Sequence, residues 1–426
     1  MKNSIHLRLL CATALLAAFF LSGASAYAAP GAAPTVNLIM WTFSDGLNPT
    51  EAAVVAAFES SHPDVAITTY HPLDLMAELV STPVASRPDI IFYPNDAMTM
   101  LLLNHYLTRL EGYSVTTAYL AANFEPAAVQ AAMSSGVVYA IPHVQESIAL
   151  LYNKDTLPAQ YLPTDPLDFT ALASKAALYW TNYPAKTLLC NQGFGFQDAY
   201  HVAPIFFGYG IPDYIDQSGK IYVNDARAVT AASWIQDLRP VSLADNSYDN
   251  CLDALIDGSV GMWWTGPWAV SMLEEGGISI GVVPMGVPFV GVKQNMVTVY
   301  ATNRGYAVDA VDFLKYFDNT ANSILYATQE GLVPANSAAL ASPQVQELTL
   351  ITAFAEAIAL GTPMSKSIYS WCQWEPVGDA VAELWNNPLA DPKDELDAAQ
   401  AEIQACVDSL RDTYFPVHLM LPLIQR

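Results

Sequence analysis

The chain has 426 residues, 53% hydrophobic and only 14% charged, with 17 Lys and Arg against 41 Asp and Glu for a formal net charge of −24. That length fits two or three domains, and so negative a charge opposes binding to nucleic acid or anionic lipid. The apolar surplus would fit a membrane protein, but only one segment is long and apolar enough to raise the question, and it lies at the N-terminus.

In that segment Lys2 and Arg8 precede an apolar run from Leu9 to Leu21, followed by Ser22-Gly23-Ala24-Ser25-Ala26-Tyr27-Ala28-Ala29. A basic start, a short apolar run and small residues at A-x-A spacing describe a secretory signal peptide over residues 1–28. Cys11 sits inside the run and no Leu-x-x-Cys ends it, so no lipoprotein anchor is expected. Removing the segment takes away two basic residues and leaves a net charge of −26.

Val36 to Trp41 reads as a strand, with Thr42-Phe43-Ser44-Asp45-Gly46 as the loop after it. Asn48-Pro49-Thr50-Glu51 then predicts a helix start, with Asn48 as cap, Pro49 in the first turn and Glu51 reaching back. Val65 to Tyr70 and Asp89 to Tyr93 are further strands. This alternation predicts a parallel α/β sheet with helices on both faces, since the strands read as continuous apolar runs. Gly136 to Pro142 and Ile148 to Asn153 read as strands around a loop from His143 to Ser147. Lys186 to Cys190 is another strand, and Ala226 to Leu238 and Tyr248 to Ile256 are helices. Helices are also expected over 308–316, 321–329, 351–360, 376–385 and 396–410. The apolar tail, 413–426, is too short to span a bilayer and carries two prolines, so it is expected to pack on the adjacent lobe.

Four cysteines remain after the leader: Cys190, Cys251, Cys372 and Cys406. An even count in an exported chain favours disulfides. Three pairings are possible; we favour Cys190–Cys251 with Cys372–Cys406, and free buried thiols are the alternative. No Cys-x-x-Cys or His-x-x-x-His spacing points to zinc, and no Gly-x-x-x-x-Gly-Lys-Ser/Thr run points to a nucleotide site. No cofactor is expected.

Val260-Gly261-Met262-Trp263-Trp264 reads as a buried strand, and Gly266-Pro267 then turns a rigid corner into Trp268. That corner stands at a strand end, where α/β proteins hold ligands. A flat ring fixed there suits the apolar face of a sugar. Trp263, Trp264 and Trp371 divide evenly between site and core, and Trp234, mid-helix, reads as core.

Several segments together resemble the maltose/maltodextrin-binding proteins of bacterial ABC importers, the extracellular solute-binding proteins of family 1. They are Trp41 to Asp45, Arg87 to Tyr93 with Asp96, Gly136 to Pro142, Glu146 to Leu157, Val260 to Ala269, Gly281 to Pro284 with Phe289 to Val292, and Ser370 to Trp374. They keep their order over roughly residues 36–385. The resemblance implies a two-lobed α/β periplasmic binding protein of type II, each lobe a sheet flanked by helices, with the ligand cleft at the hinge. One lobe is expected from 35–145 plus 293–338, the other from 146–292 plus 339–412. It further implies a non-catalytic receptor, exported to the periplasm and monomeric. Such a receptor binds a carbohydrate of maltose or malto-oligosaccharide type and delivers it to ABC permease subunits. A chemoreceptor is a possible second partner.

A neutral sugar is held by aromatic faces on its C–H surface and by fixed polar groups on its hydroxyls. The resemblance places Tyr93, Tyr200, Trp268 and Trp374 in the aromatic set, and Asp45, Asp96, Glu146 and Asp198 in the acidic set. The family pattern often has a basic residue after the first two acidic positions. This chain has Gly46 and Ala97 there, and Asp74 where a lysine would help. Carboxylates accept hydrogen bonds but do not donate them when ionised, so a different oligosaccharide or a cationic solute such as a polyamine also fits. An exported glycoside hydrolase using Asp96 with Glu146, or Glu146 with Asp198, is the enzyme alternative.

Overall fold

The computed structural model describes residues 35–43 and 46–414. The proposed leader, Asp45 and most of the apolar tail lie outside them. Two sheets organise the chain. The larger has the strand order Val333–Pro334, Ala140–Glu146, Phe289–Val297, Ile90–Pro94, Val36–Thr42, Val65–Tyr70. The first three sequence segments of this sheet pair in parallel, whereas Phe289–Val297 runs antiparallel to both of its neighbours. The sheet is therefore mixed, not wholly parallel as its early strands suggest. Thr362–Pro363 pairs at the start of Phe289–Val297.

The smaller sheet has the order Ile280–Val283, Ala149–Asn153, Val260–Thr265, Thr187–Asn191. Its strands are mostly apolar because helices cover both faces. Along Val260–Thr265, Met262 and Trp264 enter one hydrophobic cluster and Trp263 enters the other, the period of two that a pleated strand imposes. Both tryptophans are fully buried, so both belong to the core. Two connections run between the sheets. Ala140–Glu146 passes through Ser147 and Ile148 into Ala149–Asn153, and Ile280–Val283 leads into Phe289–Val297.

The helix Pro49–Ser61 begins with the predicted reciprocal cap. Glu51 N donates to Asn48 Oδ1 at 2.8 Å and Asn48 N donates to Glu51 Oε2 at 2.9 Å. The helices Ala226–Leu238, Tyr248–Asp257, Ala307–Phe317 and Thr320–Glu330 also form where periodicity predicts them. Disulfides join Cys190 to Cys251 and Cys372 to Cys406, with Cα separations of 5.8 and 5.7 Å. The first ties the edge strand Thr187–Asn191 to the Tyr248–Asp257 helix. The second ties the Ile368–Cys372 turn to the long helix Pro392–Tyr414.

A second expectation fails as well. His143 to Ser147 is not a loop, because the strand continues to Glu146. Its histidine is held by partners inside the lobe instead of by water. His143 is 1% exposed. Its Nε2 lies 2.9 Å from Glu51 Oε1 and its Nδ1 2.7 Å from Asp318 Oδ1. Asn295 Nδ2 donates to the other Asp318 oxygen at 3.0 Å.

Burial opposes charge on the His143 ring, but the hydrogen bonds and charges of Asp318 and Glu51 outweigh it and raise the ring to about 9. A raised folded-state value means that the stability it contributes is complete below the ordinary histidine value near 6.5 and is lost as pH climbs through about 9. Burial raises Asp318 to about 6, and that loss falls at lower pH. The melting temperature is therefore expected to decline between pH 6.5 and 9, and a His143→Gln variant, less stable at neutral pH, should show a flatter profile there. Parallel profiles for the two proteins would mean that the buried ring carries no charge.

Candidate functional site

A cavity of about 670 Å³ opens between the two sheets. Strand ends of the larger sheet supply Tyr93 and Glu146 to its wall, Asp96 comes from the cap of the helix Ala97–Leu103, and Lys293 from the Phe289–Val297 strand. From the other lobe come Tyr200, Trp268, Trp371 and Trp374. Six of the eight sequence-predicted residues thus meet in one place: Tyr93, Asp96, Glu146, Tyr200, Trp268 and Trp374. Asp45 lies outside the described residues.

Asp198 is set back from the cavity wall. It caps the helix Ala199–Gly208, accepting from His201 N at 3.0 Å and from Gln192 Nε2 at 2.7 Å. Burial works against its charge, yet His201 and these hydrogen bonds hold it below the usual carboxylate range. Its direct task is to start the helix on whose first turn Tyr200 stands.

The aromatic wall is fixed by packing. Tyr200 stacks on Phe289 with centroids 6.0 Å apart and planes 14° apart. Phe289 meets the edge of Trp374 at 5.6 Å, and Trp268 lies 6.4 Å from Tyr200. Across the cleft, Phe43 and Tyr93 pack edge to face at 5.0 Å. The Gly266-Pro267 corner lets the Trp268 ring fold back over the backbone: a Cβ at position 266 would sit 2.1 Å from a ring carbon. Trp371 is 40% exposed, and its indole nitrogen donates to the Asp96 carbonyl at 3.4 Å, bridging the lobes.

Polar groups sit among these faces. Burial pushes Asp96 up to about 6, against the pull of the backbone N–H groups of Ala97 and Asp96 itself. Burial, then the charges of Glu146, Asp198 and Asp96, raise the Tyr200 hydroxyl well above its ordinary value, so it stays protonated as a donor. Lys293 Nζ lies 2.7 Å from Glu146 Oε1. Burial opposes its charge, but the charge of Glu146 and the hydrogen bond to it keep the ammonium protonated.

Sequence reasoning missed Lys293, which no motif marks, and left the cavity without a cation. It also missed Phe43. Asp74, where a lysine was sought, caps the helix Leu75–Ser81 by accepting from Ala77 N at 2.9 Å. Among the described residues no group of His, Cys, Asp and Glu is arranged to hold a metal ion. A second cavity of about 440 Å³ shares Val292 and Met364 with the first, but no aromatic ring is among its described lining residues.

Residues 53–353 match the family described as bacterial extracellular solute-binding protein. The chain belongs to this family. A galactooligosaccharide-binding protein of Bacillus subtilis (strain 168) is 25% identical over 94% of this chain and 96% of its own length. A maltotriose-binding protein of Pyrococcus abyssi is 24% identical over 86% of this chain and 82% of its own. Among solved structures, the Thermus thermophilus maltotriose-binding protein bound with maltotriose superposes with a TM-score of 0.72. It is 24% identical and is covered over its full length by 87% of this chain. A cyclo/maltodextrin-binding protein complexed with maltotetraose gives a TM-score of 0.73 at 19% identity, over 88% of this chain and 98% of its own. The fold is therefore the two-lobed type II architecture. The family and these relatives are solute-binding proteins, so this protein is a binder and not an enzyme. That removes the hydrolase alternative. Membership also assigns the solute-binding protein to the periplasm or the extracellular space.

Two tryptophans at either end of one corner separate core from site. Trp264, fully buried, should cost about 3–5 kcal/mol when truncated to alanine. Trp268, half-buried in the cavity wall, should cost about 1 kcal/mol as Trp268→Ala. Urea denaturation of the two variants reads the difference, and equal costs would move Trp268 into the core.

Proposed function

We propose that this solute-binding protein is the receptor of an ABC importer, holding a neutral oligosaccharide between its lobes and presenting it to a membrane permease. The observation that carries the reading is the cavity itself: tryptophan and tyrosine rings from both lobes face the same space as Asp96, Glu146, Lys293 and the Tyr200 hydroxyl. Rings cover the C–H faces of a pyranose, while the polar groups exchange hydrogen bonds with its hydroxyls. The ligand-binding set is then Asp45, Tyr93, Asp96, Glu146, Asp198, Tyr200, Trp268 and Trp374, with Asp198 acting through Tyr200. The names of the relatives, galactooligosaccharide-binding and maltotriose-binding, support a short oligosaccharide of glucose or galactose.

The lobes in this reading are 35–145 plus 293–338 and 146–292 plus 339–412, closing as a hinge over the sugar. Closure under ligand control requires the sugar to bind the closed form better than the open one, and rings contributed by both lobes supply that difference. Residues 1–28 act as a cleaved export signal. The receptor works as a monomer.

The ion pair between Lys293 and Glu146 argues against a cationic solute. Of the described carboxylates on the cavity wall, only Asp96 is left without a cation. The test is a thermal-shift screen of the mature protein with maltotriose, a galacto-oligosaccharide and spermidine. A sugar that binds the folded state at a hundred times its Kd adds about 2.7 kcal/mol of stability. Sugar-dependent stabilisation without a response to spermidine is expected. A response to spermidine alone would overturn the reading.

Asp96 adds a pH signature. A sugar hydroxyl donates to the ionised carboxylate, so affinity should rise as pH increases through about 6 and weaken below it. Isothermal titration of wild type from pH 5 to 7.5 should show that slope, and Asp96→Asn should flatten it.

A further inference from the structure

The Phe289–Val297 strand runs between the strands that end at Glu146 and at Pro94. Lys293 stands opposite Val144 on one side and Pro94 on the other. A central strand of a covered sheet normally carries apolar side chains, and an ammonium there is costly. Here the register against Ala140–Glu146 shifts between Lys293 and Gln294. The extra residue is His143 on Ala140–Glu146, while Phe289–Val297 keeps an unbroken register with Ile90–Pro94. Lys293 reaches the cavity, and among its described lining residues it is the one cation.

The arrangement carries a standing cost in the next residue. Gln294 is fully buried, and among the described residues neither its amide oxygen nor its amide nitrogen has a partner. Buried polar groups left unpaired are rare in folded proteins and collect where function holds them. A strand serving only the sheet would gain by carrying an aliphatic residue at 293.

Lys293 Nζ lies 2.7 Å from Glu146 Oε1, and the two side chains keep 24% and 13% of their surface exposed. An ammonium has three donors, and a carboxylate accepts through two oxygens. The pair uses part of each, leaving donors on Nζ beside the Oε2 acceptor at the cavity wall. Neighbouring hydroxyls of a sugar ring fit that combination: one donates to Oε2, and the next accepts from Nζ.

We infer that Lys293 is a specificity-determining residue: with Glu146 it forms a neutral clamp for a vicinal diol, and its charge bars cationic solutes from an otherwise acidic cavity. The diol half of this inference rests on the sugar-receptor reading; the charge half does not. A cation approaching the cavity meets Lys293 repulsion with Glu146 already neutralised. An anion meets Asp96 and gains only an ammonium that Glu146 holds.

The experiment is a set of titrations on the mature protein with maltotriose, a galacto-oligosaccharide and spermidine, using Lys293→Met, Glu146→Gln and the double variant. Lys293→Gln serves as a second neutral variant if the methionine does not fold, with folding checked by ligand-free melting. Lys293→Met should lose roughly ten- to hundredfold in affinity for the sugar that wild type binds, as expected for hydrogen bonds to charged groups. It should also acquire binding of spermidine. The double variant should no longer bind spermidine, and its sugar loss should be smaller than the product of the two single losses. A folded Lys293→Met protein that binds sugar within twofold of wild type and ignores spermidine overturns the inference. If wild type binds none of the sugars, the receptor reading fails and the diol clamp with it. The gain or absence of spermidine binding in Lys293→Met then still decides the charge role.

Discussion

The structure depends on one strand being shared. Phe289–Val297 lies in the middle of the larger sheet, hydrogen-bonded on both sides, yet its first residue is packed among the aromatic side chains of the other lobe. Phe289 touches Tyr200, Phe207, Tyr214 and Trp374. Backbone pairing therefore anchors one end, and ring packing anchors the other. Gly291 lies between these anchors at the cavity, where a Cβ would come within 3.3 Å of the Met364 sulfur. The cleft wall is narrow at that point because the chain has no side chain there.

A chain this acidic must use its few cations with care. Arg304 is a case: its Nη1 donates to Asp89 Oδ1 at 2.6 Å, and its Nη2 donates to the carbonyls of Val84, Ala85 and Arg87. Asp89 is fully buried and its other oxygen accepts from Ile39 N at 2.9 Å. One guanidinium thus closes the base of the larger sheet, where the strands Val36–Thr42 and Ile90–Pro94 enter. Buried carboxylates of this kind hold position only while their partner remains. Exposed acidic residues act locally instead, as where Asp74 and Asp168 cap helices.

Much of this was legible in the sequence where local rules and tertiary needs agree. Asn48 to Glu51 caps a helix because cap chemistry is local. The apolar runs form strands because both faces are covered. The Gly266-Pro267 corner presents Trp268 because only glycine leaves room beneath the ring. The rest was hidden where tertiary partners overrule local pattern. His143 and Gln145 look like loop residues until Glu51 and Asp318, far along the chain, enclose the ring. The helix Ala199–Gly208 is apolar on all sides and contains Pro204, so it shows no helical period. Lys293 belongs to no motif, and its place at the cavity follows from the pairing of Phe289–Val297 with two strands far away in the chain.

The larger sheet also fixes the order in which the molecule can be completed. Ile90–Pro94 and Ala140–Glu146 do not pair with each other; each pairs with Phe289–Val297. A chain emerging from the N-terminus carries those two strands for some hundred and fifty residues before the strand that joins them appears. Until then both present unpaired edges, the surface on which strands of separate chains add to one another. Delivery as a fully extended chain, followed by folding once residue 297 has arrived, is the route this topology favours, and a helper that covers two open edges in the interval has a defined target.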